Sequence, residues 1–135
     1  MNNAVQNLDR ARSLSMMFAA DQLEFSRPNG WELLADHVEK HRYWIGRELD
    51  VRVTWNDAVF SWYENVVVPL KRAVGSWEFR SAFPRQAAGN LYLAVSDHWH
   101  YLKEHNPAVS AEDAARSFAV HYGCGIGRWF SRFLL

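Results

Sequence analysis

The chain has 135 residues, 49% hydrophobic and 22% charged, which is enough apolar material for one domain with its own core and too much for a disordered chain. Fifteen basic and fifteen acidic side chains cancel to zero net charge. That argues against a nucleic-acid binder, whose affinity draws on a basic surplus, and it removes one barrier to self-association.

The first helical period covers residues 3–25, with Val5, Leu8, Leu14, Met17 and Leu23 as its apolar stripe. Ser26-Arg27-Pro28-Asn29-Gly30 breaks it, because Pro lacks a donor and Asn-Gly favours a turn. A second helix is expected over 31–49, buried along Leu33, Leu34, Val38, Trp44 and Ile45. After a short connector, Thr54 and Asp57 have the spacing of a helix N-cap and its third position. The third helix runs through Val59, Trp62 and Val66, and Pro69 is expected to kink or end it. Residues 76–83 read as an aromatic-bearing connector, and Pro84 suits the first turn of a fourth helix reaching His105. Ser110 and Asp113 repeat the capping pattern and start a fifth helix ending near Tyr122. Gly123, Gly125 and Gly127 then interrupt the chain before an apolar terminal piece, Arg128 to Leu135, expected to dock on the protein's own core or on a second copy.

Two stretches match each other. Val53-Thr54, Asp57-Ala58 and Ser61-Trp62 recur at the same spacing as Val109-Ser110, Asp113-Ala114 and Ser117-Phe118. Upstream of each lies a His with aromatics and a branched aliphatic, His41-Arg42-Tyr43-Trp44-Ile45 and His98-Trp99-His100-Tyr101-Leu102. The physical content is a repeated helix–loop–helix hairpin, with units at about 31–75 and 84–122. Ala58 and Ala114 fall on the first turn of the second helix, where a small side chain lets helices approach closely.

The segment Asp97-His98-Trp99-His100-Tyr101-Leu102-Lys103-Glu104 resembles an acidic residue followed by His-Arg-Trp-Tyr-Leu-Ser-Glu. That motif belongs to an uncharacterised domain at the C-terminal end of bacterial proteins with a lipopolysaccharide-kinase-like domain. Trp62, Val66, Pro69, Ala73 and Val74 resemble the Trp-rich helix that precedes it. His100 stands where the motif has Trp, Lys103 where it has Ser, and Arg47 where the first copy would carry the Glu. The resemblance covers about the second half of the chain. It implies a helical accessory domain with no assigned chemistry, and no kinase-like region accompanies it here.

His37 and His41 are four apart and share a helix face at metal-ligand spacing, and Asp97, His98 and Glu104 complete a set if the fourth helix packs on the second. The residues between the two His are Val38-Glu39-Lys40, which is not the zinc-protease pattern, and the Glu-x-x-His pairs of di-iron bundles are lacking. No metal and no cofactor is therefore expected. His98, Tyr101 and Glu104, spaced three and three, climb a helix as a polar face on which Glu104 sets the charge of His98, or else His98 packs on a neighbouring helix and Glu104 pairs with an Arg. No Gly-x-Ser-x-Gly elbow is present, and Gly123-Cys124-Gly125-Ile126-Gly127 lacks the Lys of a phosphate loop, so no catalytic residue is expected.

The expectation is one all-α domain over 1–135, about five main helices in two related hairpins. Its single cysteine, Cys124, and the want of a signal-like start or a spanning apolar run point to the cytoplasm. Seven Trp among 15% aromatics exceed what a core this size needs, so some rings are expected to line a groove or an interface. The function expected is a non-enzymatic protein-interaction or accessory module that self-associates or binds a protein partner, through His41, Trp44, Trp62, His98, Tyr101 and Glu104. The alternative is a small metal-dependent or His-based enzyme using His37, His41 and His98.

Overall fold

The computed structural model describes residues 3–21 and 23–123. Among them every regular element is helical, so the fold is all-α. Helix α1 (Asn3–Met17) is followed by a 3₁₀ turn (Ala19–Asp21), α2 (Gly30–Leu49), α3 (Trp55–Trp62), a π turn (Tyr63–Val67), α4 (Val68–Val74), α5 (Trp77–Ala82), α6 (Ala88–His105) and α7 (Ala111–Tyr122). Since α3, the π turn and α4 run on without a break, six helices result among the described residues. None of them is long and apolar enough to cross a membrane.

Capping chemistry sets several of the starts. Thr54 Oγ1 accepts from the Asp57 N–H at 3.1 Å, and Ser110 Oγ accepts from the Asp113 N–H at 3.1 Å, with the Asp113 carboxylate returning to the Ser110 N–H at 3.4 Å. Ser76 caps α5 in the same way through the Phe79 N–H at 3.2 Å. Residues 76–83 are therefore not a plain connector: Ser76 and the first-turn Glu78 launch a short helix that carries Phe79 and Ala82 into the core. In consequence α6 begins at Ala88, with Pro84 in the turn before it and not in its first turn.

Helix α1 is shorter than its apolar period suggested. It ends at Met17, and the buried positions are Ala11, Leu14, Phe18 and Leu23, whereas Val5, Leu8 and Met17 are exposed. Pro69 neither ends nor breaks the helix that carries it. A proline has no N–H to give and its ring crowds the carbonyl one turn back, and the π turn immediately upstream is where the helix widens: the Val68 N–H reaches back five residues to the Tyr63 carbonyl. Asn65 Nδ2 donates to the Ser61 carbonyl at 2.9 Å beside that widened turn.

All helices meet in one core. Trp62 lies in it with no exposed surface, among Leu14 of α1, Leu34 and Val38 of α2, Leu70 of α4, Phe79 of α5, and Val95 of α6. The segment after the 3₁₀ turn is seated on α6 through glycine: the Gly89 N–H donates to the Glu24 carbonyl at 2.6 Å, and a Cβ on Gly89 would stand 2.5 Å from that oxygen and 2.8 Å from the Phe25 ring. Gly89→Ala is thus expected to cost about 2 kcal/mol, as overpacking does in a site with no room to give. A chemical-denaturation midpoint unchanged from the parent would contradict that close approach.

The two hairpins, α2–α3 and α6–α7, make matching bonds. His41 Nε2 meets Ser61 Oγ at 3.0 Å in the first, and His98 Nε2 meets Ser117 Oγ at 2.8 Å in the second. The next residue along each helix donates to the connector: Arg42 Nε to the Val53 carbonyl at 2.7 Å, and Trp99 Nε1 to the Val109 carbonyl at 3.1 Å. Ala58 and Ala114, at matched places in the first turns, are both fully buried.

Candidate functional groove

Helix α6 packs along α2, and the seam between them opens into a groove. Its larger part encloses about 430 Å³ between Trp44 and Ile45 of α2 and Trp99, His100 and Glu104 of α6. An adjoining cleft of about 400 Å³ extends along the same seam to His37, Lys40 and Asp97. The Lys103 ammonium lies 4.1 Å over the face of Trp99, so that indole wall already carries a cation.

Helix geometry explains which rings stay outside. The stripe of α2 that reaches the core is Leu34, Ala35 and Val38, and the stripe expected from sequence continues into solvent as Leu33 and Trp44. Trp44 remains 43% exposed and Tyr43 61% exposed. Tyr43 meets Trp44 edge-to-face with ring centres 5.8 Å apart, and Trp44 meets His100 across the groove at 5.8 Å. The Arg47 guanidinium sits 5.6 Å from the Trp44 ring. These contacts hold the indole in place at the rim.

Three histidines each tie two helices together through a serine hydroxyl. His37 Nε2 meets Ser96 Oγ at 3.2 Å across α2 and α6, His41 meets Ser61 across α2 and α3, and His98 meets Ser117 across α6 and α7. Burial lowers all three imidazoles below their ordinary value of 6.5. For His37 the carboxylate of Asp97 opposes that shift while Lys40 adds to it; for His41 the neighbours His37 and Lys103 add to it; for His98 it is His121. Between the lowered folded values and 6.5 the unfolded chain binds more protons than the native one, so stability is full above 6.5 and is lost as pH falls below it. The thermal midpoint is expected to drop between about pH 7.5 and about pH 5, and a midpoint that held or rose over that interval would contradict the buried neutral imidazoles.

The six residues singled out from sequence fall into three places. His41, Trp44 and Glu104 come together in the groove. His98 and Tyr101 lie on another side of α6, beside Phe118 and Tyr122 of α7, in a separate shallow depression. Trp62 is in the core and is no surface residue. The expected single face through His98, Tyr101 and Glu104 separates because each three-residue step falls about 60° short of a turn, leaving Glu104 about 120° round the helix from His98. Glu104 Oε1 accordingly meets His100 Nε2 at 3.6 Å, not His98, and His98 packs against Phe118 and Tyr122. His37 and His41 share a face as their spacing requires, but His98 turns away from them toward α7. Among the described residues no group of three His, Cys, Asp or Glu side chains is placed to hold a metal ion.

Sequence reasoning missed Ser96, Trp99 and Lys103 as groove residues. Trp99 and Lys103 are one helical turn apart on α6, a spacing that would have paired them. Ser96 had no local signal, since its partner His37 is 59 residues away. Cys124 and the terminal piece from Arg128 to Leu135 lie outside the described residues.

Compared with family models, with curated proteins and with solved structures, the chain matches none.

Proposed function

We propose that this chain is a protein-interaction module that self-associates through the groove face of α2 and α6. The observation that carries the reading is the held aromatic ledge at the rim, where Tyr43 and His100 both contact Trp44 beside the groove. Phe60, Trp77, Tyr101 and Tyr122 are exposed as well but lie away from that groove, and Trp62 and Phe79 are fully buried. Rigid aromatics cost little ordering entropy on binding and are the side chains on which interface energy concentrates. Charges of both signs surround the ledge: Lys40, Arg47 and Lys103 against Glu48, Asp97 and Glu104. A two-fold axis sets such a surface against itself, and mixed signs allow each charge to meet its opposite. Zero net charge leaves no long-range repulsion between copies.

Two finer readings belong with this one. The hairpins α2–α3 and α6–α7 descend from one duplicated unit, a reading supported by the matched caps, the matched His–Ser bonds and the matched side-chain donors to the connector carbonyl. The chain acts in the cytoplasm, as its single cysteine suggests. The likeness of residues 97–104 to the domain that accompanies lipopolysaccharide-kinase-like proteins fits an accessory module of this kind.

Hydrogen exchange at high and low protein concentration tests the face. The reading expects added protection at high concentration in residues 40–49 and 99–104. Protection confined to the α7 side of α6, or found nowhere, overturns it.

A further inference from the structure

Of the three His–Ser bonds, one is built differently. At His37 adjacent residues of α6 face both ring nitrogens: Nε2 pairs with Ser96 Oγ at 3.2 Å, and the Asp97 carboxylate lies 3.6 Å from Nδ1, near enough to act through its charge but beyond hydrogen-bond length. Among the described residues neither His41 nor His98 has a carboxylate within ion-pair distance. The negative charge facing Nδ1 favours the tautomer with its proton there, which leaves Nε2 as an acceptor for the Ser96 hydroxyl. A nucleophile within reach of a base, and the base oriented by a third group, is the arrangement that activates a serine. The imidazole plane is fixed as well, because the ring stands edge-to-face against the buried Trp62 with centres 6.0 Å apart.

We propose that Ser96 is an acyl-accepting nucleophile, with His37 as its general base and Asp97 as the positioning residue, and that the cleft takes small activated esters. The inference goes beyond the docking reading and does not rest on it; because docking would cover the same cleft, the chemistry belongs to the monomer and its test is run at concentrations where the chain is monomeric.

The surroundings suit the chemistry. Ser96 lines both parts of the groove, and the adjoining cleft of about 400 Å³ has room for a short acyl group. The His37 side chain is 15% exposed, so its base is reached from the cleft and not from bulk water, while burial keeps it in the neutral, proton-accepting form at neutral pH. The backbone N–H groups in the middle of a helix are used by the helix itself, so Lys40 and His100, which line the same cleft, are the groups that meet the charge developing on the carbonyl oxygen. As Ser96 Oγ bonds to the acyl carbon, its proton passes to His37 Nε2. The carbon–oxygen bond to the leaving alkoxide then breaks, and the alkoxide departs with that proton, leaving an ester on Ser96. Water repeats the sequence, releasing the acid and restoring the hydroxyl.

The test is labelling of the intact chain with a small alkyl fluorophosphonate, read by mass spectrometry and peptide mapping. Ser96 Oγ displaces fluoride and its proton leaves through His37, so one adduct per chain is expected, on Ser96 and not on Ser61 or Ser117, which lack the third group. Ser96→Ala should abolish the adduct. Asp97 is 77% exposed, so Asp97→Asn should leave the fold intact yet slow labelling about tenfold or more, and Asp97→Glu should restore most of the rate. Labelling no faster than in urea-denatured protein overturns the proposal. So does an adduct spread over Ser61 and Ser117, or a rate indifferent to Asp97→Asn.

Discussion

Trp62→Ala is expected to destabilise the protein by about 4 kcal/mol, the cost of emptying a fully packed tryptophan site. In a domain of this length that corresponds to a fall in thermal midpoint of about 15 °C. The expectation rests on the ring's complete burial in a core that draws on α1, α2, α4, α5 and α6, and on its edge contacts with Phe18 at 5.9 Å and His37 at 6.0 Å. The indole of Trp62 carries its own discriminating control. Its Nε1 is buried with no hydrogen-bond partner among the described residues, so Trp62→Phe removes an unsatisfied donor along with some volume and should cost no more than about 1.5 kcal/mol. Urea denaturation of the two variants checks both figures. A loss below about 1 kcal/mol for Trp62→Ala would place the ring at a surface, where surface substitutions have small effects.

Trp44→Glu is expected to do the opposite: to leave stability within about 0.5 kcal/mol of the parent while weakening self-association by more than about tenfold. Trp44 is held at the groove rim by Tyr43, His100 and Arg47, and it contributes little to the core. Removing it subtracts an anchor, and the new carboxylate adds a like charge to a rim that already bears Glu48 and Glu104. Paired denaturation and concentration-dependent light scattering read the two effects separately. If Trp44→Glu lowered stability by several kcal/mol, the ring would belong to the core, and the interface reading would lose its anchor.

Trp62 and Trp44 also mark what the sequence discloses and what it withholds. Both lie on apolar helical periods, and period alone does not say which ring a neighbouring helix covers. Capping was legible, since Thr54 with Asp57 and Ser110 with Asp113 act within four residues and the bonds are local. Ser76 obeys the same rule but stands among aromatics that obscured it. Pro69 predicts a kink or an end because proline breaks an α-helical ladder, and the π turn that lets the helix continue has no such local signature. Of the groove, His41, Trp44 and Glu104 were nameable because side-chain type flagged them. Ser96, Trp99 and Lys103 acquire meaning only when α6 lies on α2, and that packing is decided by the whole core. The same holds for His98, whose partners Ser117 and Phe118 sit on α7.

Sedimentation velocity of the purified chain, run from about 1 to about 100 μM, tests the central claim most directly. The account predicts a monomer that gives way to a dimer as concentration rises within that range. A single monomeric species at every concentration would contradict it.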